Sequence, residues 1–347
     1  MIHSQKMICT FEATLSLSIE RMTILVTGGA GFIGSHLIKH MVNRYPNYTI
    51  INVDALTYAA DKGRLQQIEA AENYHFEEVD ISDPKEVQGV FSSYQVDAVI
   101  HLAAESHVDR SIENPLAFAE TNILGTMQLL EACRSSWKKG CGHLFYHVST
   151  DEVYGSLDKK GVFDLKSAYN PRSPYAASKA SADHMVRAYG ATYGLPYIIS
   201  NCSNNYGPDQ HQEKLIPTLL THLNQNKSLP IYGDGSNVRD WLYVEDHVEA
   251  MDLIFHKGTP SETYLIGGRC EKSNLAVAQD ICTAFDVYKK QPKGTAEKLI
   301  TFVNDRPGHD FRYAINPEKL EQQLGWSANT PWQQGLNQTV HAFMDNI

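Results

Sequence analysis

Residues Thr23–Thr27 form a short apolar, β-branched run that leads directly into Thr27-Gly28-Gly29-Ala30-Gly31-Phe32-Ile33-Gly34. Past the glycines, Ile33, Leu37 and Met41 recur at a spacing of four, as on one face of a helix over Phe32–Asn43. Few folds accept a strand, a glycine turn and a helix in immediate succession. Gly29, Gly31 and Gly34 fit G-x-G-x-x-G, and Gly28, Gly31 and Gly34 fit the longer-spaced variant. Either match alone is weak, but here the context supplies the mechanism. Glycines let the backbone turn tightly and approach a pyrophosphate, whose charge meets the helix N-terminus. Asp54 closes the next strand pattern, Tyr48–Val53, and lies 20 residues past Gly34. A carboxylate there accepts from ribose hydroxyls and repels a 2′-phosphate, which points to NAD rather than NADP.

The alternation continues. Tyr74–Val79, Ala98–Leu102, Leu144–Ser149 and Tyr197–Asn201 read as further strands, with helical stretches between them, notably Pro115–Trp137 and Pro174–Tyr193. Alternating strands and helices predict an α/β fold of the Rossmann type, a doubly wound parallel sheet with right-handed crossovers. Beyond about Asn205, Pro, Gly, Tyr and Trp become frequent. The expected organisation is an NAD-binding domain over 22–204 and a smaller C-terminal, mainly substrate-binding lobe over 205–347. Asn237–Val244 and Glu262–Ile266 are expected to return to the main sheet. Residues 1–21 fit nothing that follows and read as a disordered extension rather than a signal peptide, since Glu12 interrupts the apolar part.

A net charge of −10 argues against a general nucleic-acid binder. No apolar run approaches the roughly 20 residues that span a bilayer. The six cysteines show no C-x-x-C spacing, so reduced thiols, a cytoplasmic location and no metal are expected. His184 and His247 read as ordinary packing or surface residues.

Two motifs carry chemistry. Ser149-Thr150-Asp151-Glu152-Val153-Tyr154 places hydroxyls and two adjacent carboxylates after a strand. Tyr175 and Lys179 place a phenol and an ammonium one helical turn apart. Taken singly, the first is a polar turn and the second an exposed amphipathic helix. Together, behind a dinucleotide site, they supply a base for an alcohol proton and a separate acid and base for elimination. Lys179 is expected to favour the Tyr175 phenolate by charge, since a free phenol has a pKa of roughly 10. A carboxylate neighbour and desolvation are expected to keep Asp151 protonated as the acid, with Glu152 as base and Thr150 donating to a sugar oxygen. Asp80 either accepts from an adenine amine or caps a helix at Pro84, a task that Ser82 or Asp83 serves equally well.

The glycine run, the Asn122-containing helix and the Tyr175/Lys179 pair resemble the extended short-chain dehydrogenase/reductases. Within them, His101–Ile112, Ser149–Gly155, Asn201–Gly207, Glu213–Pro217, Arg239–Tyr243 and Asp305–His309 resemble the nucleotide-sugar dehydratases, from Met22 almost to the C-terminus. One departure is Asp209-Gln210-His211-Gln212, where the family carries an aromatic, proline-containing segment. The resemblance implies NAD contacts at Gly28, Gly31, Phe32, Ile33, Gly34, Asp54, Asp80, Ile81, Leu102, Ala103, Ala104, Thr121, Tyr175, Lys179 and Asn205. It implies substrate contacts at Ser106, Thr150, Asn204, Lys214, Leu215, Pro230, Tyr232, Arg239, Asn274, Arg306 and His309. Arg239 and Arg306 suit a diphosphate, because a guanidinium binds phosphate oxygens bidentately. The implied substrate is a nucleotide-diphosphate sugar, dTDP-glucose. The implied reaction is oxidation at carbon 4, loss of water across carbons 5 and 6, and hydride return to carbon 6. The implied assembly is a homodimer. A 4-epimerase or decarboxylase of the same fold, and a non-catalytic NAD sensor, are the competing readings.

Overall fold

The computed structural model describes residues 21–305 and 308–346. The reading of residues 1–21 as an extension, Arg21 aside, and the assignment of Arg306 lie outside the described residues. Six strands come first: β1 (Met22–Thr27), β2 (Tyr48–Asp54), β3 (Tyr74–Glu78), β4 (Ala98–His101), β5 (Leu144–Thr150) and β6 (Tyr197–Cys202). Six more follow: β7 (Asn204–Tyr206), β8 (Leu229–Tyr232), β9 (Val238–Tyr243), β10 (Thr263–Ile266), β11 (Glu271–Ser273) and β12 (Ile300–Val303). The central sheet has seven strands in the order β10-β6-β5-β4-β1-β2-β3. Every neighbouring pair in it is parallel. The chain winds outwards from β1 to β3, then restarts at β4 on the other side of β1. Such a reversal opens a crevice at the carboxyl ends of the two inner strands.

Composition explains the strand positions. β1, β4, β5 and β6 are buried along nearly their whole length and are largely apolar, as strands covered on both faces are, with polar residues gathered towards the carboxyl ends of β5 and β6. The edge strand β3 carries His75, Glu77 and Glu78, which discourage pairing with another chain. One face is covered by α1 (Phe32–Arg44), the other by α2 (Pro84–Ser93). Asp83 caps α2, accepting from the Lys85 and Glu86 amides, and Pro84 occupies the first helical position.

The segment after β4 begins with α3 (Val108–Glu113) and α4 (Pro115–Phe118). It then widens into a π-helical stretch, Ala119–Gly125, before α5 (Thr126–Ser136). The continuous helix read over Pro115–Trp137 thus has an inserted wide turn, which places Thr121 and Asn122 beside the crevice. The long helix α6 (Pro174–Tyr193) starts at the Ser173 cap and stops at Gly194, whose φ of 71° is left-handed.

The second lobe contains α7 (Leu215–Asn224), α8 (Val244–Lys257), α9 (Asn274–Tyr288), α10 (Glu318–Leu324) and α11 (Trp332–Asp345). It does not separate cleanly from the first. Val248, Met251 and Ile254 of α8 pack into the main-sheet core. β10 joins the main sheet beside β6, but β9 does not return to it. β9 lies between β7 and β11 in a three-stranded sheet. Its pairing follows from Asn204–Tyr206 leaving β6 as a separate strand, which the sequence pattern does not reveal. Among the described residues, no helix is long and apolar enough to cross a membrane.

Packing of α6 on β6 is close at Gly190, where an added Cβ would lie 2.2 Å from Cε1 of Tyr197. Gly190→Ala is expected to cost about 1–3 kcal/mol through overpacking. A fall in melting temperature checks this, and an unchanged value contradicts it.

Candidate active site

The main cleft opens at the carboxyl ends of β1 and β4. Gly28 has φ +73°, and an added Cβ there would lie 2.7 Å from the Ala103 backbone. A Cβ on Gly34 would lie 2.2 Å from the Gly28 carbonyl. These contacts require glycine, and they bring the start of α1 to the cleft wall. Asp54 accepts from the Ala30 and Leu56 amides, each at 2.9 Å. Burial raises its carboxyl, and those two amides oppose the shift. Asp80 accepts from the Ser82 amide and hydroxyl, each at 2.8 Å, leaving the helix cap to Asp83. Every residue assigned to the cofactor from the sequence lines this one cleft, as do Ser106, Thr150, Asp151, Glu152, Asn204 and Lys214.

Asn122 clips the cleft together. It accepts from the Glu105 amide at 2.9 Å and donates to the Glu105 carbonyl at 3.0 Å and to Ser178 at 2.8 Å. The π turn, the loop after β4 and α6 are thereby held in register.

The reactive groups sit on two elements. Thr150 ends β5 and caps a short 3₁₀ turn, Asp151–Tyr154, accepting from the Glu152 amide at 3.3 Å. The Thr150 hydroxyl donates to Asp151 at 3.4 Å. Asp151 is 2% exposed, whereas Glu152 is half-buried on the same turn. Burial pushes the Asp151 carboxyl well up, and nearby Glu152 and Asp240 push it further, against Arg239 and Thr150. These shifts favour the protonated form of Asp151.

Tyr175 and Lys179 face the cleft from α6. The expected charge relationship between them needs correction. Lys179 Nζ donates to the Val148 carbonyl at 2.9 Å. Burial pushes the Tyr175 phenol well up and Glu152 adds to the rise, while the Thr150 hydroxyl is the neighbour that lowers it. Burial also lowers the Lys179 ammonium, to about 8. In the protein alone, desolvation outweighs the attraction that would favour the phenolate.

Among the described residues, the remaining substrate assignments are not part of this cleft's lining. Leu215 begins α7 beside Lys214, whose ammonium donates to the Ser106 carbonyl at 2.9 Å. Pro230 and Tyr232 lie on β8, Arg239 on β9, and Asn274 at the start of α9. Tyr232 and His309 meet edge to face, with ring centroids 6.2 Å apart. The Arg239 guanidinium donates to the Val238 and Asp310 carbonyls at 2.8 and 3.1 Å and lies 4.4 Å from the Tyr313 ring centre. Tyr313 donates to Asp310 and also feels the charge of Glu152. It thus joins this second cluster to the turn that bears the carboxylates.

Sequence reasoning missed Tyr313, Cys202, Gln210, His211 and the cleft-lining role of Glu213. Tyr313 lies four residues past His309, beyond the last quoted motif, and Glu213 stands beside Lys214 within one. The departing segment also has a local fit, since Gln210 donates to the Asn205 carbonyl at 2.8 Å; just after it, Glu213 accepts from Tyr58 at 3.2 Å. Among the described residues, no group of three or more His, Cys, Asp or Glu could hold a metal ion.

Comparison with known proteins gives a consistent picture. Residues 25–339 match the model of the family described as GDP-mannose 4,6 dehydratase. The chain is 49% identical to a dTDP-glucose 4,6-dehydratase of Haemophilus influenzae, over 94% of this chain and 98% of that one. A crystal structure of the Bacillus anthracis dTDP-glucose 4,6-dehydratase in complex with NAD superposes with a TM-score of 0.83 at 43% identity, covering 94% and 97% of the two chains. A UDP-glucose 4-epimerase of Thermotoga maritima, solved with UDP-glucose, reaches 0.82 at 29% identity, covering 94% and 99%.

The burial of Asp151 has a spectroscopic consequence. Near neutral pH the protein is expected to show the infrared carbonyl band of a buried carboxylic acid, absent from Asp151→Asn. A variant that loses only carboxylate intensity would contradict the protonated state.

Proposed function

The chain belongs to the GDP-mannose 4,6 dehydratase family, and on that premise we propose that it converts dTDP-glucose to dTDP-4-keto-6-deoxyglucose with NAD as its cofactor. The observation that carries this reading is the Asp151–Glu152 turn. A buried carboxyl group that burial pushes towards its acid form and a half-buried carboxylate line one cleft from a single turn. A simple oxidation or 4-epimerisation has no departing hydroxyl to protonate and no use for the pair.

NAD fits the cradle, because Gly28 and Gly34, where a Cβ would strike the Ala103 and Gly28 backbone, let the turn close tightly against the start of α1 at the cleft, and Asp54 lines that cleft where ribose hydroxyls would donate. Gly28, Gly31, Phe32, Ile33 and Gly34 would hold the diphosphate, and Asp80 and Ile81 the adenine side. Bound there, NAD supplies the hydride acceptor for carbon 4, the donor for carbon 6, and a positive charge. Tyr175 takes the proton from the 4-hydroxyl, and Lys179 orients the site from the next turn. Glu152 removes the carbon 5 proton, made acidic by the 4-keto group. Asp151 delivers its proton to the departing 6-hydroxyl, and Thr150 donates to the sugar oxygen on which charge develops. Lys214, Ser106 and Asn204 hold the sugar-nucleotide from the cleft. Arg239, oriented beforehand by two carbonyls, takes the diphosphate, with Tyr232, His309, Asn274 and Pro230 around the base. On this reading residues 22–204 serve mainly the cofactor and 205–347 mainly the substrate.

A second copy of the chain is the proposed partner, in a homodimer. Ile112, Leu116, Leu124 and Tyr193, on and around α3, α4 and α6, are 46, 72, 48 and 43% exposed, an apolar surface suited to helix packing. We place the work in the cytoplasm, where the free thiols of Cys133, Cys202 and Cys282 stay reduced.

The test is turnover. NAD-loaded protein with dTDP-glucose should yield a 4-keto-6-deoxy product, and Glu152→Gln should lower its rate by about 10²–10⁴-fold. Exchange of the carbon 5 hydrogen with deuterated water should fall with it. Product formation by Glu152→Gln at the parent rate would contradict the assignment.

A further inference from the structure

Asp183 lies on α6 one turn beyond Lys179 and is fully buried. A buried carboxylate is costly unless its partners compensate. Its partners come from three other parts of the fold. One oxygen accepts from the Tyr169 hydroxyl at 2.6 Å and from the Asn201 amide of β6 at 3.3 Å. The other lies 3.2 Å from Nε2 of His147 on β5. The same Asn201 amide donates to the Thr150 carbonyl at 3.1 Å. A short chain of contacts therefore runs from α6, through β6, to the residue that opens the carboxylate turn. Lys179, meanwhile, donates to the Val148 carbonyl, an acceptor that satisfies a proton but does not balance a charge.

We propose that Asp183 is a positioning residue: it balances the charge of the Lys179 ammonium and, through Asn201, fixes the Thr150–Glu152 turn against the helix that bears Tyr175 and Lys179. The proposal rests on the roles given above to those residues.

Asp183, one helical turn from Lys179 on α6 and not in direct contact with it, is the carboxylate whose charge acts on that ammonium. From β4 and β5, His101 and His147 are pushed down by burial and by Lys179 itself, so they stay neutral. From β6, burial pushes the Cys202 thiol up to about 12. Tyr154, Tyr169 and Tyr175 are all raised, chiefly by burial, so in the protein without its cofactor none of them is favoured as an anion. Arg187, which donates to Tyr169 at 3.0 Å, adds a second cation for Asp183 to balance. Burial alone would raise Asp183, but His147, Tyr169 and Lys179 hold it below the ordinary carboxylate range. Burial lowers Lys179 to about 8, and Asp183 is first among the groups that oppose the fall.

The direction of the effect follows. An ammonium with a lowered pKa is lost as pH rises through that value. Removing the Asp183 charge lowers it further, so activity that needs the ammonium ends at a lower pH.

The experiment compares Asp183→Asn, Tyr169→Phe, Asp183→Glu and Asn201→Ala in the NAD-loaded protein. Lys179 is titrated by NMR of ¹³C-lysine-labelled protein, its resonance assigned with Lys179→Arg. The pH profile of product formation is recorded in parallel. In Asp183→Asn the Lys179 titration and the alkaline limb should both fall by about one pH unit or more. Tyr169→Phe keeps the charge and should leave both in place, and Asp183→Glu should return them towards the parent. Asn201→Ala removes the amide that bridges Asp183 and the Thr150 carbonyl and changes no charge. It should lower kcat by roughly 10–100-fold with the Lys179 titration unmoved. A parent-like Lys179 titration in Asp183→Asn overturns the proposal, as does an equal shift in Tyr169→Phe or a parent kcat in Asn201→Ala. Were the parent to make no product while Lys179 still shifts in Asp183→Asn, the charge relationship would stand and the dehydratase reading would fall.

Discussion

Removal of water at the carboxyl ends of β5 and β6 sets the behaviour of every reactive group in the cleft. The same burial acts oppositely on acids and bases. It raises the Asp151 carboxyl and pulls the Lys179 ammonium down to about 8. Neighbouring carboxylates on one turn thereby meet different surroundings, because Asp151 is buried while Glu152 is half-buried, although both line the cleft. One structural gradient, from core to crevice, does what two separate charge arrangements would otherwise have to do.

The fold makes that gradient available. A parallel sheet covered on both faces brings its strand ends to a common edge, and the reversal between β1 and β4 opens the edge to a ligand. Local departures from regularity then adjust it. The π turn at Ala119–Gly125 presents Asn122 to the loop after β4 and to Ser178. Gly28 accepts a left-handed backbone so that two chain segments can touch. The second lobe contributes from outside, with Tyr313 linking the Arg239 cluster to the carboxylate turn.

Much of this was legible in the sequence because it is local. The glycine spacing, the acid 20 residues on, and the Tyr175/Lys179 interval follow from single strand or helix geometries. The adjacent pair Asp151 and Glu152 was visible in the sequence, and the expectation that desolvation and a carboxylate neighbour raise Asp151 needed only its place after an apolar strand. What was not legible depends on tertiary placement. Nothing in Asn237–Val244 says that it pairs with a strand split from the end of β6 rather than with the main sheet. Nothing in the Tyr175/Lys179 spacing says that the ammonium turns to the Val148 carbonyl. Asp183 sits at helical spacing from Lys179, yet on an isolated helix that pattern is an ordinary ion pair. Its meaning comes from Asn201 and Thr150, distant in sequence. The separation of Arg239 and Asn274 from the main cleft likewise depends on how the second lobe folds.

The most direct test of the central claim follows one hydrogen. dTDP-glucose carrying deuterium at carbon 4 is incubated with NAD-loaded protein in ordinary water, and the product is examined by NMR and mass spectrometry. The account predicts a 4-keto-6-deoxy sugar with the deuterium on carbon 6. Deuterium retained at carbon 4 of an epimer, or a 4-keto product that still bears its 6-hydroxyl, would contradict it.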